Sequence, residues 1–181
     1  ELDLTLTTRD RNVEDPEERT PMCGVPYHSA EAYIGRLIQK GYKVAICEQM
    51  EDPALAKGLV QREVIRIITP GTVTESSMLD ESRSNYICSV YLDASGGAVA
   101  FCDVSTGEFC AASFSEGVVT HLINELGRFS PREAILSPGA WDNGDVTAFL
   151  DKLDVLREKG GDGFDLSGAG ARVCRQFSVQ D

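Results

Sequence analysis

Residues 86–114, YICSVYLDASGGAVAFCDVSTGEFCAASF, decide the fold of the C-terminal half of the chain. Three apolar runs, 86–93, 98–105 and 108–114, are separated by Ala94-Ser95-Gly96-Gly97 and by Thr106-Gly107. Both gaps are short and carry glycine, as tight antiparallel hairpins require. Three consecutive strands follow from this. Downstream, Val118, Val119, Leu122, Ile123 and Leu126 recur at helical spacing, with Ser115 as the expected cap. EAILS (133–137) reads as a further strand, and the spacing predicts a helix over 146–157. The order βββαβα predicts a mixed sheet with helices against it. Residues 160–170 hold five glycines and read as a loop.

Upstream, Leu2, Leu4 and Leu6 alternate with Asp3, Thr5 and Thr7, which predicts a strand. The charged, proline-bearing stretch 9–28 reads as a loop. Ala30, Tyr33, Ile34, Leu37 and Ile38 then mark a helix, capped by His28 or Ser29 and closed by Gly41. YKVAICEQM (42–50) reads as a buried strand and DPALAKG (52–58) as a short helical turn. EVIRIITPGT (63–72) reads as a strand ending in a Pro-Gly turn. The polar run TESSMLDESRSN (74–85) reads as a linker. The expectation is therefore an α/β chain of two small domains: 1–75, a linker at 76–85, and 86–181.

Composition narrows the class. With 181 residues, 42% apolar and 25% charged, the chain is neither collagen-like nor wholly disordered. It contains no run of ~18 apolar residues that could form a membrane-spanning helix. The net charge is −12, with 9 basic and 13 acidic residues in 1–75 and 8 and 16 in 76–181. A free-standing nucleic-acid binder carries a basic footprint, because phosphate neutralisation supplies most of its affinity. Any DNA contact here is therefore local or depends on other parts of a longer protein. The same acidity argues against a membrane surface. The six cysteines include no CxxC, and His28 and His121 lie far from any cysteine pair, so zinc spacing is absent. Reduced cysteines in a cytoplasmic protein are the expectation. A chain that opens on Glu1 with no leader reads as a piece of something longer.

Three candidate chemistries follow. Nucleotide cradling fails, because no glycine run ends in GK[ST] and GAGAR (168–172) lacks a strand to present it. Hydrolysis lacks G-x-S-x-G. The βββαβα order also suits a two-metal nuclease, for which Asp93, Asp103 and Glu108 are the candidate carboxylates. Only Asp103 is mid-strand, however, so a nuclease-like shape without nuclease chemistry is expected. The third candidate is TPMCGVPYH (20–28). Its glycine and prolines fix a loop, and Met22, Tyr27 and His28 can lie on sugar or base surfaces. Amides before the following helix can meet a phosphate, with Arg9, Arg11 and Arg66 as further phosphate contacts. The competing reading packs Tyr27 and Met22 into the core as a rigid turn.

The same segment carries a resemblance. GVPYH (24–28), VAICEQ (44–49), Asp52-Pro53, Lys57-Gly58 and RIITPGT (66–72) resemble the mismatch-recognition domain of the MutS family. DVSTGEF (103–109) resembles the connector domain that follows it in that family. The likeness thins after about residue 140. It implies a mixed-sheet recognition domain and a ribonuclease-H-like connector. The implied parent protein is a homodimer that kinks duplex DNA at mismatches and recruits MutL under ATP control. Family mismatch reading uses a Phe-x-Glu wedge, which lies upstream of the strand matching 2–8; residues 1–75 contain no Phe. The wedge, and the ATPase domain with its ATP and Mg, are thus expected to be missing. So are the end of the connector and an opening strand, which leaves an unpaired sheet edge. The resemblance places Arg9, Met22, Gly24, Val25, Pro26, Tyr27 and His28 near DNA, with Arg66 as a weaker contact. It implies no catalytic residue, metal or cofactor in these residues, and a cytoplasmic, nucleoid-associated protein. Two alternatives stand beside it: a protein-interaction or allosteric connector without DNA affinity, and a ribonuclease-H-like nuclease.

Overall fold

The computed structural model describes residues 1–8, 14–15, 19–55 and 58–179. Arg9, Arg11 and Lys57 lie outside them. The chain divides into two compact units, Glu1–Arg83 and Ser84–Asp181.

In the first unit, β1 (Thr7–Thr8) pairs antiparallel with β2 (Pro21–Met22). The strand expected from the Leu2, Leu4 and Leu6 alternation shrinks to those two residues. Asp3 takes φ 53°, a left-handed conformation that interrupts an extended run. Helix α1 (Ala30–Gln39) forms as its periodicity predicts, though Ser29, its N-cap, makes no side-chain capping bond. Gly41 at φ 79° ends it, donating to the Ile38 carbonyl at 2.9 Å while Tyr42 donates to Leu37 at 3.0 Å. Two antiparallel strands follow, β3 (Val44–Gln49) and β4 (Arg62–Ile68), with a bulge between Ile46 and Cys47. Between them Asp52 caps a single turn, its carboxylate accepting from Ala54 N–H at 2.8 Å. The core is small: Ile38, Ile68 and Val73 are buried, with Ile34, Val44, Ile46, Met78 and Leu79 packed on them.

The second unit is a five-stranded sheet. β5 (Tyr86–Leu92), β6 (Gly97–Asp103) and β7 (Glu108–Phe114) form the expected meander, in register from Tyr86↔Asp103 to Leu92↔Gly97. After α2 (Val118–Phe129), β8 (Glu133–Leu136) pairs parallel with the other edge of β5. Then come α3 (Pro138–Asp142), α4 (Gly144–Lys152), β9 (Leu156–Lys159), parallel to β8, and α5 (Ala169–Phe177). The spatial order is β7-β6-β5-β8-β9. Alternation along β5 and β6 turns Tyr86, Cys88, Val90, Val99 and Phe101 inward, onto Leu122 and Leu126 of α2 and Val146 and Leu150 of α4. Phe101 and Phe129 stack at 4.2 Å, and Tyr86 meets Phe129 edge-on at 5.2 Å.

Three expectations need correction. Gly117, left-handed at φ 54°, is the N-cap of α2 rather than Ser115. The helix expected over 146–157 stops at Lys152, because Asp154 takes φ 55° and breaks it. Its expected last turn is instead β9, drawn out by pairing with β8. Finally, residues 160–170 are not loop throughout: Asp162–Phe164 forms a 3-10 turn and α5 starts at Ala169.

Candidate nucleic-acid interface

The loop from Pro21 to Ser29 is held at both ends. Its start ladders with β1 through Thr7↔Met22 and Thr8↔Pro21. Its end enters a 3-10 turn, Tyr27–Ser29, closed by the Ser29 N–H donating to the Pro26 carbonyl at 2.9 Å. Pro26 sits at φ −58°, the value its ring imposes, with an extended ψ of 140°. The backbone from which the loop's side chains project is thus tied at both ends.

Those side chains face solvent. Tyr27 is 92% exposed and Met22 43%. Gly24, Pro26 and His28 are exposed and Val25 is half-buried. The reading in which Tyr27 and Met22 pack into the core is overturned, since that core is built from Ile38, Ile68 and Val73. A Cβ on Gly24 would meet nothing within 4 Å, so the space over the loop is open.

The phosphate-binding part of the sequence reading fares differently. Glu31 occupies the first turn of α1, so its carboxylate already neutralises the positive end of the helix dipole. A phosphate there would meet like charge. Arg66 stands opposite Ile46 in the β3–β4 ladder, and its guanidinium donates to both Glu75 carboxylate oxygens and to Thr74 Oγ1 at 3.1 Å. The hydrogen bond from Arg66 holds the Glu75 carboxyl below the usual carboxylate range, against the opposing effect of partial burial. The charge of Arg66 is therefore locally spent on Glu75. What the loop offers is an aromatic and apolar surface, with little fixed positive charge among the described residues.

The sequence reading missed the far face of β3 and β4. The run YKVAICEQM was expected to be buried, yet only Val44 and Ile46 in it are even half-buried, and on β4 Val64, Ile65 and Ile67 are each more than half exposed. A continuous β-branched run signals a strand covered on both faces. Here α1 covers one.

The candidate metal carboxylates are dispersed. Asp93 lies in the β5–β6 turn, its Oδ1 accepting from Ser95 and Gly96 and its Oδ2 from the Tyr91 hydroxyl. Asp103 and Glu108 sit at the opposite end of the same strands, paired across β6 and β7. A seven-residue strand of about 20 Å separates the two groups, far beyond the ~4 Å of a two-metal site. Glu108 accepts instead from the Tyr86 hydroxyl at 2.7 Å. Among the described residues no group of three or more His, Cys, Asp or Glu could hold a metal ion. Likewise, no helix among them is long and apolar enough to cross a membrane.

Comparison with known proteins assigns both units. Residues 1–77 match the family model described as MutS domain I, and residues 85–181 match MutS domain II. The DNA mismatch repair protein MutS of Acetivibrio thermocellus is 54% identical over 138 residues, covering 76% of this chain and 16% of that protein. The protein of that name from Clostridium botulinum (strain 657 / Type Ba4) is 54% identical over 138 residues, covering 75% of this chain and 14% of its own length. The chain thus spans a small part of the relatives it matches. Among solved structures, a simian T-cell lymphotropic virus intasome in complex with PP2A regulatory subunit B56 gamma aligns with a TM-score of 0.36 at 12% identity. It covers 52% of this chain and 38% of that one, a likeness too slight to bear on the fold.

Proposed function

The chain belongs to the MutS family, through domains I and II of that family, and from that membership we propose that it forms the DNA-supporting and connecting part of a mismatch sensor. The loop from Pro21 to Ser29 lies against the duplex, with Met22, Gly24, Val25, Pro26, Tyr27 and His28 contacting groove and backbone. Arg9 adds charge, and Arg66 does so only where a phosphate draws it from Glu75. The observation that carries the reading is Tyr27: its ring stands 92% exposed at the end of a proline-fixed loop. A rigid, exposed aromatic suits stacking on a sugar or an unstacked base. Mismatch discrimination comes from a Phe-x-Glu wedge outside these residues, since 1–75 contain no Phe. Mismatched duplex DNA is the ligand of the complete homodimer, in the cytoplasm at the nucleoid.

The second unit acts as a connector that relays the DNA-bound state and meets MutL. The strand order β7-β6-β5-β8-β9, with β5, β8 and β9 parallel, supports a ribonuclease-H-like fold for it. The separation of Asp93 from Asp103 and Glu108 favours a non-enzymatic role over a nuclease. ATP and Mg act elsewhere in the longer protein, and these residues hold no cofactor.

The test is an anisotropy titration of labelled matched and mismatched duplexes at fixed salt. This chain alone binds both weakly and without preference. In a full-length MutS carrying these residues, the double change Y27A/H28A weakens both duplexes alike, by about tenfold. A loss confined to mismatch preference, with bulk affinity intact, would contradict the supporting role.

A further inference from the structure

The face of the second unit's sheet turned away from α2 and α4 is crossed by a single segment. Phe164, in the 3-10 turn after β9, stacks on Tyr91 of β5 at 6.4 Å and 22°. Phe177, the last residue of α5, meets Phe109 of β7 at 5.9 Å. Tyr91 alternates with buried Val90, and Phe109 pairs with Cys102, whose neighbours Phe101 and Asp103 are buried on the opposite side. Both aromatic anchors therefore lie on the same outer face, and residues 164–177 run diagonally across it.

Beside this segment the face is lined by small side chains. Ser89, Ala98, Ala100, Ala111 and Ser113, with Tyr91 at one end, form a groove of about 320 Å³. Small residues let a helix approach a sheet closely. The helix above is not seated in the groove. Val173 and Phe177, one turn apart on α5, are each more than half exposed, as is Leu166. Gly160, Gly161, Gly163 and Gly168 punctuate the segment leading to it, and Gly168 stands at φ 72°. An apolar stripe, an apolar groove of matching scale and a glycine-rich tether are thus adjacent.

We propose that α5 is a strap that closes by seating the Val173–Phe177 stripe in this groove. The outer face then has an open state, with the groove accessible, and a closed state, in which it is withdrawn from any partner. The Phe164–Tyr91 contact holds the strap in reach, and Phe177 exchanges Phe109 for the groove, so closure needs a short displacement about Gly168.

The native cysteines report the equilibrium. Cys174 is on the strap and Cys102 on the crossed face, both half-buried. Cys23 and Cys47 are exposed and belong to the other unit, and Cys88 is buried. Maleimide labelling of this chain, resolved site by site by mass spectrometry, gives all rates at once. Ala100→Leu fills the groove without touching α5. It should speed Cys174 by about tenfold relative to Cys23 and Cys47, as expected when a dominant closed state is lost, while Cys88 stays protected. A Cys174 rate within about twofold of the native chain, with Cys88 protected, overturns the strap. If Ala100→Leu exposes Cys88, the sheet has failed and Val173→Ser, which leaves the Phe109–Phe177 contact intact, decides instead. Faster Cys102 and Cys174 sustain the proposal, and unchanged rates refute it.

Discussion

The carboxylate of Asp103 receives the Asn85 N–H at 2.9 Å, fastening the entry of β5 to the exit of β6. The other oxygen takes the Ser105 N–H at 2.9 Å and the Ser105 hydroxyl at 2.6 Å, and the residue is 1% exposed. Burial by itself would raise its pKa. The bonds from Ser105, Asn85 and Thr106 outweigh that and hold the carboxyl below its usual range. A depressed folded pKa means the contribution is full above the unfolded value of about 4 and fades as pH falls through the folded one. Asp103→Ala should therefore cost about 3 kcal/mol at pH 7, since it orphans buried donors. Urea unfolding at pH 7, 5 and 3 should show the gap between mutant and wild type narrowing at the acid end. A gap independent of pH would refute the charged-acceptor account.

Arg66 is restrained by Glu75, so removing the restraint should free a cation. Glu75→Gln is expected to raise duplex affinity in a full-length MutS and steepen its salt dependence by about one counterion. Arg66→Ala, made in the native background, should change affinity much less. Paired titrations at two salt concentrations separate the cases, and equal salt slopes for E75Q and wild type would remove Arg66 from the interface.

Val64, Ile65 and Ile67 are exposed apolar side chains on a two-stranded sheet whose outer edges pair with no further strand among the described residues. Such a surface promotes association of the chain with itself. Sedimentation velocity at micromolar concentration should show a concentration-dependent shift that I65K/I67K abolishes. A native chain that sediments as a monomer throughout would sink this expectation.

Gly139 opens α3 against the end of β5. A Cβ there would lie 2.1 Å from the Leu92 carbonyl oxygen, and neither backbone can yield cheaply. Nearby, Ser137 Oγ accepts from Leu92 N–H at 3.0 Å and from Ala140 N–H at 3.3 Å, holding both chains in place. Gly139→Ala should cost about 2 kcal/mol or more, as overpacking does. Thermal melts would show it; an unchanged midpoint would mean the β5–α3 contact is looser than described.

The meander β5–β7 was legible because alternation and hairpin glycines agree over its whole length. β9 was not: Leu156–Lys159 reads LREK, one apolar residue in four, and continues the helical spacing ahead of it. Only the left-handed Asp154 breaks that helix, and an Asp between Leu153 and Val155, within an unbroken helical spacing, gives no warning. At the candidate interface, Pro21, Gly24 and Pro26 announced a fixed loop. The outward turn of Tyr27 was hidden, because an aromatic beside proline packs inward as readily as outward. The pairing of Arg66 was hidden too, since Glu75 returns to it across the Pro70-Gly71 turn rather than along one strand.

β5 is the first strand of its sheet in sequence and the middle one in space. During synthesis β5 can zip to β6, and β6 to β7, as soon as Phe114 has emerged, while the other edge of β5 waits for Glu133–Leu136. Through that interval the nascent chain carries an unpaired edge, and a greasy face that α2 has yet to cover. Slow codons between residues 114 and 133 would prolong the moment at which this domain most needs a chaperone.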